Sequence, residues 1–475
     1  MAIKPVKIAQ DCLLVLDSRT AQSYQIPIKD NAILGSDIGN IVGLADPDFE
    51  EEEGEVNSHT NGNSNGHVKS TANGTAVRRK QRGLSVLDPG LENIAIMKSS
   101  ITFIDGQRGI IKFRDMMIED LFRDYVYEDV MHLLIWDEIP TEAKKQDTRI
   151  IMGSAGVPTE AVRKVIESFP REAESYHMIL AGMAAFASGD TIIATARHQQ
   201  KPVFHGNLSQ ADPALLRTIQ YMATTTALVY CHKHNLEFTN PDPSQSLVEN
   251  LVMMMGFHDK EYEGKPKPDA RIVECLNKLW ILYADFEMTA STAAVLQAGS
   301  ALSDPVSCAI SGIVAGHGPL HGGAIELAYE SFGKIGSPEN VKPYIAAVKA
   351  QKARLFGYGH RVLKNRDPRG ALMKEIMGGK LAEDFARNPM LQIALTMDRV
   401  AREDPYFIER NLHVNVDLYG SFPYIALGFH KDAITAVTIL SRFAGPLAHW
   451  RESLTQPIKL WRPRQVYESN VQIPM

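Results

Sequence analysis

The chain has 475 residues, 44% of them apolar and 22% charged, with a formal net charge of −6 at pH 7. A length of this order allows about three domain-sized units around a large buried core, and the acidic balance excludes the broad basic face that non-specific nucleic-acid binding needs. Cys12, Cys231, Cys275 and Cys308 are scattered, with neither a zinc-ribbon spacing nor a disulfide framework, and are expected as reduced core thiols.

Short β-type runs come first, Leu13 to Asp17 and Tyr24 to Ile28, so residues 1–45 are expected as an N-terminal β segment. Its opening residues, Met1-Ala-Ile-Lys-Pro-Val-Lys7, have no apolar signal core and no Arg/Ser-rich transit character. The composition then breaks. Residues 46–55 are acidic and 57–75 are rich in Asn, Gly, Ser and Thr without apolar periodicity. Such a segment cannot bury enough surface to offset its ordering entropy, so 46–78 is expected as a disordered insertion, closed by the basic run at 78–82. A strand and its hairpin partner are expected at 100–106 and 110–114. From about residue 117 helices dominate, at 173–187, 213–232, 244–255 and 269–297, with Met and aromatic stripes read as core packing. No βαβ alternation and no fixed-period repeat is present. The fold class is therefore mainly α. No run reaches the ~18 consecutive apolar residues of a membrane helix, and the final Val-Gln-Ile-Pro-Met475 is not a peroxisomal tripeptide. The expectation is a cytoplasmic protein with no nucleic-acid or membrane partner.

Three motifs in the C-terminal half carry chemistry. His317 and His321 are spaced as metal ligands on a helix would be, but Gly318 and Pro319 lie between them. A proline in a helix interior costs ~3 kcal/mol, so the segment is a turn and no metal is expected. Alone, such a histidine more often just caps a helix. In Gly357-Tyr-Gly359-His360, a lone Gly-x-Gly is weak evidence, but Asp367 and Pro368 then suit a helix cap and first position. Arg369 falls in the first turn, against the helix dipole, which suggests a bound anion. Asn415-Val-Asp417-Leu-Tyr419 sets a carboxylate among apolar neighbours, where desolvation raises its pKa above the usual ~3.9 and makes it a better base. Arg442, Arg462 and Arg464 suit a small dicarboxylate if they converge.

From about residue 83 to 467 these motifs, with Leu87-Asp-Pro-Gly90, Ile104-Asp-Gly106 and Arg462-Pro-Arg-Gln465, resemble the citrate synthase family, including methylcitrate and alkylcitrate synthases. The resemblance implies a helical homodimer with a large domain (79–334 and 438–475) and a small domain (335–437) closing on the substrates. It implies condensation of an acyl-CoA with oxaloacetate and hydrolysis of the thioester, an acyltransferase reaction needing no cofactor beyond its substrates. Asp417 matches the base, His321 the donor to the thioester oxygen, and His360 the group that polarises the keto acid. Arg369, Arg442 and Arg462 match the oxaloacetate carboxylate sites, the last from the partner subunit. Lys364 and the backbone at Gly357 and Gly359 match the coenzyme A site. The sequence also departs from the family. Phe286 and Tyr283 replace the usual histidines, Ile325 an asparagine, and Gly420-Ser421 inverts Ser-Gly. Three readings follow: a citrate synthase, an alkylcitrate synthase taking a longer acyl group, or a weakly active or inactive relative that binds coenzyme A or a protein partner.

Overall fold

The alternating runs at the start of the chain pair as an antiparallel hairpin. β1 (Cys12–Asp17) and β2 (Gln22–Pro27) run in register from Cys12 opposite Pro27 to Asp17 opposite Gln22. Asp17 closes the turn, accepting from the Arg19 amide at 3.0 Å and from its guanidinium at 2.9 and 2.7 Å. The structure, a computed structural model, describes residues 11–41, 83–196, 198–259, 266–353, 355–360, 362–364 and 367–466. The insertion expected at 46–78 and the basic run at 78–82 lie outside these. The hairpin belongs to a compact unit formed by residues 1–97 and 462–475, and residues 98–461 form a second.

The second unit opens with β3 (Thr102–Asp105), β4 (Ile110–Phe113) and β5 (Met116–Met117), an antiparallel sheet that includes the expected hairpin. From there the described chain is mainly helical. The helices expected at 173–187, 213–232 and 244–255 are Ser175–Gly189, Leu208–His234 and Leu247–Met254. Leu208–His234 starts ahead of Pro213, which sits in its second turn. It is buried almost without interruption from Ala214 to Cys231, as expected of a helix apolar on every side. Trp280, Tyr283, Tyr424 and Trp450 are wholly buried, so the aromatic stripes are core. Cys231, Cys275 and Cys308 are buried, Cys12 is half-buried, and all four are free thiols. Among the described residues no helix is long and apolar enough to cross a membrane.

One expectation is corrected. The run at 269–297 is two helices, Ala270–Tyr283 and Ala290–Gly299. In the break, Asp285 turns its carboxylate to His449, and Glu287 takes the left-handed region at φ +52. Thr289 restarts the helix, its hydroxyl accepting from the Thr292 amide at 3.2 Å. Apolar periodicity runs through the break because Phe286 is itself buried.

Candidate active site

The helix Pro305–Gly316 is capped by Asp304, whose carboxylate accepts from the Ser307 amide at 2.9 Å. The next helix, Ala324–Ile335, begins after the expected glycine-rich turn. That turn has no room for side chains at two points. A Cβ on Gly322 would lie 2.6 Å from the Gly316 carbonyl oxygen, and one on Gly323 2.5 Å from that of His317. His317 stacks on Tyr176, ring centroids 4.1 Å apart. His321 is held by Ser291 at the start of the helix Ala290–Gly299. Its Nε2 lies 2.9 Å from Ser291 Oγ and accepts from the Ser291 amide at 3.4 Å. An amide only donates, so Nε2 is the acceptor and the ring proton sits on Nδ1. Burial lowers the His321 pKa to about 4, and the charge of Arg442 acts in the same direction. The ring is neutral at pH 7, with one N–H to offer.

His360 lies in a loop paired with the segment leading to Asp417. Tyr358 bridges Val414. The Gly359 amide donates to the His413 carbonyl at 2.8 Å, and the Asn415 amide to the Gly357 carbonyl at 3.0 Å. The Asn415 side chain donates to the Gly359 carbonyl at 2.9 Å. Gly357 and Gly359 take φ of +79 and +73, and a Cβ at Gly357 would lie 2.8 Å from Leu418 Cα, so the pairing depends on both glycines. His360 Nδ1 accepts from the amides of Val362 and Leu363, each at 3.1 Å. Its proton is therefore on Nε2. Burial, followed by the charge of Arg369, brings its pKa down to about 4.

Asp417 is the first residue of the helix Asp417–Ala426, its amide donating to Asn415 Oδ1 at 3.0 Å. A helix start favours a carboxylate, yet burial raises the Asp417 pKa, outweighing the attraction of Arg369 and Arg442. Arg369 opens the helix Arg369–Gly378 and is buried. Its Nε and Nη2 donate to Asp367 at 3.0 and 2.9 Å. The anion beside this arginine is thus, first, a carboxylate of its own chain, with Nη1 left outside the pair. Asp367 also accepts from the Arg369 amide at 3.0 Å, standing one residue ahead of the cap position, which Pro368 takes in place of the expected Asp367, and from the Val416 amide at 3.1 Å, which ties it to the segment before Asp417. Arg442 ends the helix Ile434–Arg442. It lies within electrostatic reach of His321, His360, Asp417 and Arg369, and is the common neighbour of the group.

The helix break completes this wall. The Phe286 ring lies 4.4 Å from the Arg369 guanidinium and 4.9 Å from the His360 ring, a cation–π contact on one side and ring packing on the other. Asp285 and His449 are both buried, Oδ2 to Nε2 at 3.3 Å. Burial opposes charge on each, but each stabilises the other's charged form, so the Asp285 pKa is lowered and that of His449 raised. Ser291 and His449 carried no signal in the sequence: one reads as a helix start, the other as a stray polar residue in an apolar helix.

Arg462 is exposed and belongs to the first unit. Lys364 is exposed, its amide donating to the Gly106 carbonyl at 3.0 Å, and its charge reaches His360. Elsewhere, His234, His430 and Asp432 bring ligand-type atoms within 4.8 Å of one another. The two rings stack at 3.7 Å with planes 18° apart. Lys233 lies 3.4 Å from the Asp432 carboxylate. The group is organised as a ring stack with ion pairs.

The family profile for the citrate synthase C-terminal domain matches residues 90–464. A citrate synthase-like protein of a Phoma species is 40% identical over 459 residues, 97% of this chain and 90% of that protein. The alkylcitrate synthase phiJ of a fungal species is 34% identical over 462 residues, 97% of this chain and 94% of that one. The Thermoplasma acidophilum citrate synthase, solved in ternary complex with carboxymethyl coenzyme A and oxaloacetate, is 28% identical with a TM-score of 0.72, covering 82% of this chain and 97% of its own. Motifs, mainly helical fold and these likenesses agree, and the chain belongs to the citrate synthase family.

Proposed function

We propose that the protein condenses an acyl-CoA with oxaloacetate and hydrolyses the resulting thioester, giving citrate or a 2-alkylcitrate and free coenzyme A. Asp417 takes a proton from the α-carbon of the thioester. A carboxylate is a weak base towards C–H, so the electrons moving onto the thioester oxygen need a donor already in place. The neutral His321 offers its Nδ1–H for this. The enol carbon then attacks the keto carbon of oxaloacetate. As the new C–C bond forms, the carbonyl electrons pass to oxygen beside His360, whose Nε2–H stabilises the alkoxide and delivers the hydroxyl proton; solvent then returns a proton to the ring and takes the one Asp417 gained. Water cleaves the thioester and coenzyme A leaves as the thiol. Arg442 and the free edge of Arg369 face the oxaloacetate carboxylates, with Arg462 contributed across a homodimer. Lys364 and the backbone at Gly357 and Gly359 hold coenzyme A. Closure of the small domain, 335–437, on the rest of the second unit excludes water. No metal or further cofactor enters this scheme, and the cytoplasm is the compartment proposed.

The observation that carries this reading is the pair of tautomers. Each imidazole is neutral, has one nitrogen occupied by protein donors, and has an N–H that meets no partner among the described residues and can serve a substrate oxygen. The altered family positions Tyr283, Phe286 and Ile325 support a donor longer than acetyl, and the alkylcitrate synthase likeness stands beside a citrate synthase likeness of nearly the same extent. The test is thiol release with oxaloacetate and acyl-CoAs of graded length. A maximum beyond acetyl is expected. A maximum at acetyl would make the protein a citrate synthase, and no release with any donor despite coenzyme A binding would overturn the reading.

A further inference from the structure

Three positions at which the sequence departs from its family converge on one contact. Tyr283 ends the helix Ala270–Tyr283 and is buried. Gly420 lies in the first turn of the Asp417 helix, three residues past Asp417 and so on its side of the helix. A Cβ on Gly420 would lie 2.2 Å from Tyr283 Oη and 2.7 Å from Ile325 Cδ1. The first clash is with the tip of a stiff, fully packed phenol, which cannot swing aside. Tyr283 Oη also donates, at 3.5 Å, to the carbonyl of Val416, the residue before Asp417. Its phenol lies within electrostatic reach of Asp417, Arg369 and Arg442. Beyond it, Ser421 Oγ donates to the Ile325 carbonyl at 2.7 Å. The turn that carries Asp417 is thus seated between the helix leading to Phe286 and the helix following His321.

We propose that Tyr283 and Gly420 are a matched positioning pair that fixes where the Asp417 carboxylate stands. This rests on Asp417 being the base. The phenol needs the space a glycine leaves, and the helix needs the phenol as its seat. Any side chain at position 420 lifts the first turn away from Tyr283 and carries Asp417 with it.

The test is a double-mutant cycle read in kcat, KM and thermal midpoint. Gly420→Ala should lower kcat about a hundredfold, the scale for ~1 Å of displacement of a reacting group, with little change in KM for acyl-CoA. Tyr283→His, which shortens the ring, should lower kcat more modestly. In the double variant most of the alanine's cost should be lifted, in kcat and in midpoint alike, leaving only what the approach to Ile325 Cδ1 imposes. Multiplicative effects on kcat and additive shifts in midpoint would overturn the pairing. If Gly420→Ala does not fold alone, recovery of a folded, active double variant is itself the expected rescue, and an unfolded double variant overturns the proposal. Asp417→Asn in the same assay separates the two ideas. If it keeps full turnover, the base assignment fails, whatever the coupling between positions 283 and 420.

Discussion

The turn around His321 and the loop around His360 solve one problem by different means. Both hold a neutral imidazole with its pKa lowered to about 4, chiefly by burial. At His321 the protein occupies Nε2 through a residue of another helix, Ser291, so the ring depends on a side chain that substitution can remove. At His360 the protein occupies Nδ1 through the chain's own next amides, which no ordinary substitution deletes. The opposed tautomers put the ring proton on Nδ1 in one ring and on Nε2 in the other. A ring held by backbone is set by loop conformation alone, whereas a ring held by a side chain also depends on helix packing.

Removing the rings should break the comparison most visibly. His360→Ala should lower thiol release by ~10²- to 10⁴-fold, the usual range for a general acid or base, yet leave deuterium exchange at the acyl α-carbon largely intact in D2O with the keto acid bound. His321→Ala should lose both, because enolisation itself needs its N–H. Equal loss of exchange in the two variants, measured by mass spectrometry, would remove the division of roles. The pH profile should carry an acid limb from Asp417, whose pKa burial raises. Activity is then lost as pH falls through that raised value, at a midpoint above the ~3.9 of an ordinary aspartate.

His449 is a third buried histidine and inverts the pattern. It faces Asp285, and its pKa is raised. Its contribution to stability is complete below the unfolded value of ~6.5 and is lost as pH rises through the higher folded value. Asp285, lowered, contributes above ~3.9 and loses its contribution as pH falls through its folded value. The pair is therefore most stabilising in the window between. His449→Ala should cost ~3–5 kcal/mol, because it strands a buried carboxylate. His449→Gln should flatten the alkaline fall of the thermal midpoint. A wild-type midpoint flat from weakly acid to strongly alkaline pH would contradict the charged pair.

What could be read from the sequence followed from how local each cause is. The turns at His321 and His360 were legible because Pro319 forbids a helix interior where it stands, while Gly318, Gly357 and Gly359 permit the turns there. The helix after Asp367 and Pro368 was legible for the same reason, one residue out of place, although the partner of Arg369 was sought in a ligand when it lay two residues away. The break at 284–289 was not legible. Its apolar spacing never lapses, and its fixed point, the contact of Asp285 with His449, spans 164 residues. Nor was the place of Phe286 against both Arg369 and His360; Arg442 entered the group through the family resemblance and not through spacing, since helix packing brings it there. Ser291 stayed hidden because a serine in a first helical turn is unremarkable on its own.

Ser291 also gives the smallest effect. Ser291→Ala removes the hydroxyl at 2.9 Å from His321 Nε2 but keeps the amide at 3.4 Å. The acceptor stays an acceptor and the proton stays on Nδ1, only less firmly. The loss of one such hydrogen bond, ~1 kcal/mol, corresponds to about a fivefold fall in kcat. The control lies on the other ring. Val362 is 38% exposed and serves His360 only through its amide, so Val362→Ala should leave kcat within the ~0.5 kcal/mol scatter of ordinary surface substitutions. If the alanine at position 362 costs as much as the one at 291, the side chains around His360 matter as much as those around His321, and the contrast between a backbone-held and a side-chain-held imidazole is lost.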